Sequence, residues 1–349
     1  MEREKILSIE NLIIKFKLRG QTLTAIRDIS LDLYKGESLA IVGESGSGKS
    51  VLVKSIMGLL DKNGFIDSGR ILYDGHNLTQ FKAEKDWLKV RGKKIAMVTQ
   101  DPMTSLNPLK TIGKQIEESV VLHQGVKGKQ AYEKTLQLLR DVGIHDVERR
   151  YKQFPHEFSG GMRQRIVIAI AIACDPQILI CDEPTTALDV TIQAQILQLL
   201  TNLQEKYGLS TIYITHDLGV VAKVADRIAV MYAGDIIEVG KTNEVFFDAK
   251  HPYTWALISS LPQLGVKGEE LYSIKGTPPN LFKEIKGDAF APRNQYALKI
   301  DFVERPPFFK ISATHYARTW LLDPKAPKVD PPEVLQAFFE EGRRYAYDE

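Results

Sequence analysis

The chain has 349 residues, of which 44% are hydrophobic and 26% charged, with a formal net charge of +2. That length suits two domains, or one domain with an extension, and supplies enough apolar material for a real core. Acids and bases are interspersed, so nothing argues for a nucleic-acid footprint and no nucleic-acid partner is expected. The opening MEREKILSIENL has neither an apolar signal core nor an arginine-rich transit pattern. The best membrane candidate, Ile166 to Cys174, is far too short to span a bilayer and is flanked by Arg163, Arg165 and Asp175. Cys174 and Cys181, the two cysteines, lie in apolar runs and are expected as buried free thiols in a reducing cytosol.

In chain order, residues 5–34 alternate as strands, through Ile6, Ile9, Leu12, Ile14 and Phe16, then Leu23, Ile26, Ile29, Leu31 and Leu33. The apolar run Leu39-Ala40-Ile41-Val42 then feeds Gly43-Glu44-Ser45-Gly46-Ser47-Gly48-Lys49-Ser50, which satisfies the phosphate-cradle pattern G-x-x-x-x-G-K-[ST] at every required position. Backbone N–H groups of such a turn wrap nucleotide phosphates. Lys49 adds a point charge beside the outer phosphates, and Ser50 offers a hydroxyl to Mg²⁺. From Val51 the apolar spacing (Val53, Ile56, Met57, Leu60) predicts a helix whose positive end faces the anion. A ligand-free glycine turn would not require three glycines and Lys-Ser after a strand.

Strands are predicted at 69–74 and 93–100, then a mostly helical stretch over about 110–150. A helix over 160–174 leads into the strand Ile178-Leu179-Ile180-Cys181, which ends in two adjacent carboxylates. Asp182 is placed to hold the Mg²⁺ shell and Glu183 to polarise an attacking water. A helix over 191–206 and strands 211–215 and 227–232 follow. Alternating strands and helices imply an α/β fold with a largely parallel sheet covered on both faces and an inserted helical subdomain. From about residue 265 paired prolines appear (278–279, 306–307, 331–332) and helical periodicity weakens, which reads as a separate extension.

Just before the helix at 160 stands Phe158-Ser159-Gly160-Gly161-Met162-Arg163-Gln164-Arg165. Here the chain resembles the ATP-binding-cassette ATPases, whose signature is a similar Ser-Gly-Gly element; Phe158 stands where Leu is commoner. A serine hydroxyl, close-approaching glycine amides and a helix N-terminus make a second anion receptor. In the family it closes over nucleotide held by a partner, which assigns that role to Ser159, Gly160, Gly161, Met162 and Gln164. Gln100, ending its strand, resembles the glutamine that touches the metal. Ala187-Leu188-Asp189 resembles the loop communicating between paired sites, and His216 the imidazole that reaches the terminal phosphate. Phe16 matches the position where cassettes stack an aromatic on adenine, and it fits core packing equally well.

The resemblance implies a phosphate-loop cassette ATPase with a mostly parallel sheet, an antiparallel β subdomain, a helical subdomain over about 101–160, a cassette over 1–262 and an extension over 263–349. It implies ATP and Mg²⁺ as ligands. One loop and one signature per chain make half of each of two composite sites, so hydrolysis is expected to need a dimer.

Finer motifs are Asp101-Pro102-Met103-Thr104-Ser105-Leu106-Asn107-Pro108, Thr215-His216-Asp217-Leu218-Gly219-Val220-Val221-Ala222, Met231-Tyr232-Ala233-Gly234, His251-Pro252-Tyr253-Thr254 and Gly276-Thr277-Pro278-Pro279-Asn280-Leu281. They resemble ATPase subunits of bacterial oligopeptide and dipeptide importers, a group that includes nickel and some sugar importers. Within it the chain looks like the first of two non-identical ATPase subunits. The implied partners are the second ATPase (a heterodimer), two integral membrane permease subunits and, indirectly, an extracytoplasmic solute-binding protein, at the cytoplasmic face of the membrane. A soluble cassette ATPase of repair or translation and a phosphate-loop kinase are the rival readings. The first lacks the expected coiled coils or second cassette here, and the second gives no reason for SGGMRQR.

Close relatives carry four cysteines in the extension that hold an iron–sulfur cluster. Here Gly287-Asp288-Ala289-Phe290-Ala291-Pro292-Arg293-Asn294 keeps the frame without them, and the other two positions fall near Asp301 and Thr319. No cluster is expected. Asp288, Asn294 and Asp301 are expected as a solvated loop rather than an oxygen-ligand cation site, and His315 as structural.

Overall fold

The fold is a computed structural model that describes residues 3–186, 188–261, 264 and 274–346. Ala187 and the expected cassette–extension boundary at 262/263 lie outside the described residues.

The chain opens with β1 (Lys5–Leu18), β2 (Gln21–Tyr34) and β3 (Ser38–Val42), followed by α1 (Lys49–Ile56), β4 (Gly64–Tyr73) and β5 (His76–Asn77). Next come α2 (Glu84–Trp87), β6 (Ile95–Val98), α3 (Pro102–Ser105), α4 (Ile112–Gln124), α5 (Lys129–Asp141) and α6 (Val147–Arg150). Helix α7 (Gly160–Ile172), β7 (Ile178–Asp182), α8 (Val190–Tyr207), β8 (Ser210–Thr215), α9 (Leu218–Val224) and β9 (Arg227–Tyr232) restore the α/β alternation. The chain closes with β10 (Asp235–Lys241), α10 (Thr242–Phe247), α11 (Pro252–Ser259), β11 (Phe309–Lys310), β12 (Tyr316–Ala317) and α12 (Glu333–Ala346).

These elements fall into two compact units. The first comprises residues 1–5, 33–38 and 80–214. In it β6, β7 and β8 pair in parallel, with Val98 opposite Cys181 and Asp182 opposite Ile214. Parallel strands covered on both faces must be apolar throughout, and Ile178 to Cys181 are fully buried. Helix α7 is apolar all round (Ile166, Val167, Ile168, Ala169, Ile172), which only a helix enclosed on every side tolerates. Helix α8 instead buries one stripe, Ile196, Leu199, Leu200 and Leu203. Helices α3 to α6 occupy the stretch expected as the helical insertion, and α4 and α5 pack on α7. Cys174 and Cys181 are buried free thiols, and burial pushes the Cys174 thiol up to about 11.

The second unit comprises residues 6–32, 39–79 and 215–349. Strands β2, β1, β4 and β5 form an antiparallel subdomain, with Leu7 opposite Tyr73 and Phe16 opposite Gly64. The alternation in β1 shifts phase at Asn11, whose φ of 48° bulges the strand so that Leu7, Ile9, Leu12 and Ile14 all face inward. Strand β9 runs parallel to β3 and antiparallel to β10. Strand β12 adds to β10 with Val239 opposite Tyr316, and β11 adds to β12, so the extension continues the sheet edge.

Two expectations change here. After 265 the described residues form only short 3-10 turns and two-residue strands until helical order returns at the end, where α12 docks against α10 and α11 through buried Leu335 and Phe339 and the Phe338 ring centroid lies 5.1 Å from that of Phe247. Pro331 and Pro332 open this helix instead of breaking one, because a helix start has no use for their missing N–H groups. The candidate loop at Asp288, Asn294 and Asp301 is not solvated; all three side chains are buried. Since Leu335 is fully buried, Leu335→Ala should weaken the docking of α12 by about 2–5 kcal/mol. Hydrogen exchange followed by mass spectrometry should then show faster exchange over residues 333–346. Unchanged protection there would contradict the packing.

Candidate functional site

In the second unit, β3 delivers the chain into the phosphate loop, and the loop folds against β9. A Cβ at Gly43, where φ is 156°, would sit 2.1 Å from the Met231 carbonyl oxygen. At Gly48, with φ of 104°, it would meet Met231 Cε at 2.7 Å and the Ala25 carbonyl at 2.9 Å. Side chains are excluded by both backbone angle and space, which leaves the N–H groups of the turn and of the first turn of α1 as its chemistry. Lys49 Nζ donates to the carbonyls of Gly43 at 2.6 Å and Glu44 at 2.9 Å, so the ammonium is held over the loop. Ser47 is buried, and its carbonyl accepts the Gly234 N–H at 2.8 Å, tying the loop to the turn after β9. Ser45 and Gly46 form the exposed crest, Ser50 and Val51 lie in the first turn of α1, and Ser50 is exposed.

His216 is exposed at the junction of β8 and α9. Its setting is fixed on both sides: Thr215 Oγ1 accepts the Asp217 N–H at 3.0 Å, and Asp217 Oδ1 caps α9 by accepting from Gly219 at 2.8 Å. Phe16 is half-buried, and its ring covers the Gly64 backbone: a Cβ there would lie 2.6 Å from Phe16 Cε1. That placement keeps Phe16 near the end of β1 and out of the fully buried core.

In the first unit the end of β7 brings three candidates together. Glu183 adopts a left-handed backbone with φ of 47°, held by its N–H to the Ile214 carbonyl at 2.9 Å. A non-glycine residue in that region is strained, and such strain gathers where a side chain must be aimed. Glu183 Oε2 accepts from Gln100 Nε2 at 3.1 Å and from Thr186 Oγ1 at 2.9 Å. Thr186 was not among the residues anticipated; its three-residue spacing from Glu183 was the available clue. Asp182 ends β7 one residue earlier.

The signature and the inter-site loop also meet within this unit. Ser159 caps α7, its hydroxyl accepting the Met162 N–H at 3.4 Å, and Asp189 caps α8 by accepting the Ile192 N–H at 3.0 Å. Gly161 lies directly on the second helix, where a Cβ would stand 2.6 Å from Ile192 Cγ2, and Gly160 lies near Leu188. Gln164 is buried, and its Nε2 has no hydrogen-bond partner among the described residues.

In the extension, four side chains occupy the positions at or near which relatives were expected to carry cysteine. Each accepts a backbone N–H: Asp288 from Phe290, Asn294 from Tyr296, Asp301 from Leu298 and Thr319 from Leu321. One oxygen of each closes a tight turn, which offsets part of the cost of burying these polar residues. Among the described residues no group of three or more His, Cys, Asp or Glu side chains is placed to hold a metal ion. His315 is buried with Nε2 2.8 Å from Glu238 Oε1 and joins the β11–β12 turn to β10.

The metal expected at the nucleotide is a different matter. Ser50 in the second unit offers a hydroxyl oxygen, and Gln100 and Asp182 in the first an amide and a carboxylate oxygen, each a hard donor of the kind Mg²⁺ takes.

Burial pushes the Asp288 carboxyl up to about 7, against about 4 in an unfolded chain. Between those values the folded protein binds more protons, so the Asp288 contribution falls as pH rises through this window. Asp288→Asn keeps an acceptor for Phe290 and removes the titration. Its thermal midpoint relative to the parent should climb from pH 4 to pH 7 and then level off; a constant difference would contradict the assignment.

With this geometry in place, the chain can be set beside known proteins. Residues 26–186 match the ABC transporter family, and residues 237–300 match the oligopeptide/dipeptide transporter C-terminal region. The oligopeptide transport ATP-binding protein AmiE of Streptococcus pneumoniae is 57% identical over 96% of this chain and 94% of its own length. The dipeptide transport ATP-binding protein DppD of Lactococcus lactis is 54% identical over 97% of both chains. The oligopeptide transport ATP-binding protein OppD of Bacillus subtilis is 56% identical over 95% of this chain and 93% of its own. Among solved structures, the ATP-binding cassette MJ0796, a dimer in a post-hydrolysis state bound to ADP and Pi, matches with a TM-score of 0.60. It is 28% identical, covering 68% of this chain and 98% of that one. The chain therefore belongs to the ABC transporter family of ATPases and carries that family's oligopeptide/dipeptide transporter C-terminal region.

Proposed function

We propose that the protein is the ATP-hydrolysing subunit of an importer for oligopeptides or dipeptides. The observation that carries the hydrolytic part is the Glu183 carboxylate, aimed by a left-handed backbone and oriented by Gln100 and Thr186. The peptide part is supported by the names of relatives 54–57% identical over nearly the whole chain.

In this reading the N–H groups of residues 43–51 and the Lys49 ammonium bind the phosphates, and Phe16 stacks on the adenine. Gln100 and Thr186 hold Glu183 so that its carboxylate faces the attacking water. Glu183 takes the proton as the water oxygen bonds to the terminal phosphorus and the bridging oxygen leaves with ADP. His216 steadies the terminal phosphate. Ser50, Gln100 and Asp182 would hold Mg²⁺ through oxygen, and the ion would offset phosphate charge. Positioning and charge stabilisation supply nearly all of the acceleration in phosphoryl transfer.

The signature residues Ser159, Gly160, Gly161, Met162 and Gln164 act on nucleotide held by a second, non-identical ATPase subunit, and Asp189 links the paired sites. ATP favours the closed pair over the open one, and that difference in affinity is the source of work on two integral membrane permease subunits. No helix among the described residues is long and apolar enough to cross a membrane, in keeping with a peripheral subunit at the cytoplasmic face. An extracytoplasmic binding protein delivers the solute.

In the assembled complex, Glu183→Gln should lower steady-state ATP turnover by about 10²- to 10⁴-fold while leaving nucleotide binding intact. Undiminished turnover would remove Glu183 from this role. Mild-detergent extraction should bring two integral membrane proteins down with the chain, and turnover should rise with peptide-loaded binding protein. A response to nickel or sugar alone would reassign the cargo.

A further inference from the structure

Glu44 is an acid inside a loop built for anions, and nothing in the phosphate-cradle pattern calls for it. In the second unit this residue is fastened at three points. Its N–H donates to Tyr253 Oη at 2.8 Å, and its carbonyl accepts from Lys49 Nζ at 2.9 Å. Its carboxylate takes both prongs of the Arg293 guanidinium, at 2.7 and 3.1 Å. Arg293 comes from the extension, 249 residues further along the chain, and its side chain is only 5% exposed against 27% for Glu44.

The arginine is itself immobilised. It donates to the carbonyls of Lys275 at 3.0 Å and Ile274 at 3.2 Å and to Tyr232 Oη at 3.1 Å. Beneath it Tyr232, Tyr253 and Phe290 pack together, with ring centroids 4.6 to 5.3 Å apart. A rigid fork is thus presented to one carboxylate, the geometry in which Arg and not Lys is the fitting cation.

Charge gives this arrangement a consequence. Glu44 alone would cancel the positive charge of Lys49 for an incoming polyphosphate. With Arg293 paired to Glu44, the three groups leave one net positive charge beside the loop.

We propose that Arg293 is a positioning residue for nucleotide binding: the extension sets the affinity of the phosphate loop for MgATP by neutralising and anchoring Glu44. It does so without touching the nucleotide. The inference rests on the loop being the nucleotide site.

Calorimetric titration of the full-length chain with MgATP tests it. Arg293→Ala should raise Kd about tenfold, the loss of one charge-assisted pair at a partly exposed site. Adding Glu44→Gln to Arg293→Ala should bring Kd back to within about threefold of the parent, because a neutral amide needs no cation. If the alanine variant does not fold, Arg293→Lys keeps the charge without the fork and should stay within about threefold. An unchanged Kd for Arg293→Ala, no recovery on removing the Glu44 charge, or a tenfold loss with Arg293→Lys would each overturn the inference. Those last outcomes would make Arg293 mere glue for the extension. A parent chain that binds no MgATP would instead strike the nucleotide-binding reading of the loop.

Discussion

In the proposed function the backbone N–H groups bind polyphosphate, which requires a turn with little room for side chains, and that constraint organises the second unit. The loop lies so close to Met231 and Ala25 that a single methyl group at Gly43 or Gly48 would overlap a carbonyl oxygen. Strand β9, the turn after it and the antiparallel strands therefore act as the wall against which the N–H groups are set. Lys49 and Ser47 are buried in the same contact. A cradle defined by contact distances costs no reorganisation when the anion arrives, which is how preorganised N–H groups outperform water.

The chemistry in the first unit obeys a related rule. Its polar candidates stand at element ends, where backbone groups lack partners within the helix or strand. Ser159 and Asp189 cap neighbouring helices, and Glu183 follows the last residue of a buried strand. Each is fixed by a local hydrogen bond and then supported by a neighbour: Gly161 by the closeness of Ile192, Glu183 by Gln100 and Thr186. In the proposed function, loss of the support would misaim the group, so the supporting residues count with the reactive ones.

Much of this was legible in the sequence because it is written in short-range pattern. The phosphate loop, the carboxylate pair after an apolar strand and the capped glycine element are each spelled within about eight residues. The parallel strands announce themselves by unbroken apolar runs. What escaped the sequence is long-range or ambiguous by composition. The pairing of Arg293 with Glu44 spans most of the chain, and no local rule couples them. Helix α12 is preceded by a proline pair that reads equally as a breaker, and among its described residues the large buried side chains are Leu335 and Phe339. Asp288, Asn294 and Asp301 look like solvated polar residues until each is found bonded to a nearby N–H in a buried turn. For Phe16 the strand pattern and the adenine stack predict the same residue, so sequence alone could not choose.

The central claim of the proposed function is complementarity: the loop on one chain is completed by the signature of another. ATP turnover per chain, measured together with sedimentation on the same samples with and without the second ATPase subunit, tests it most directly. The account predicts turnover that follows the fraction of chains in the paired form and vanishes for the monomer. Full turnover from a chain that sediments as a monomer throughout would contradict it.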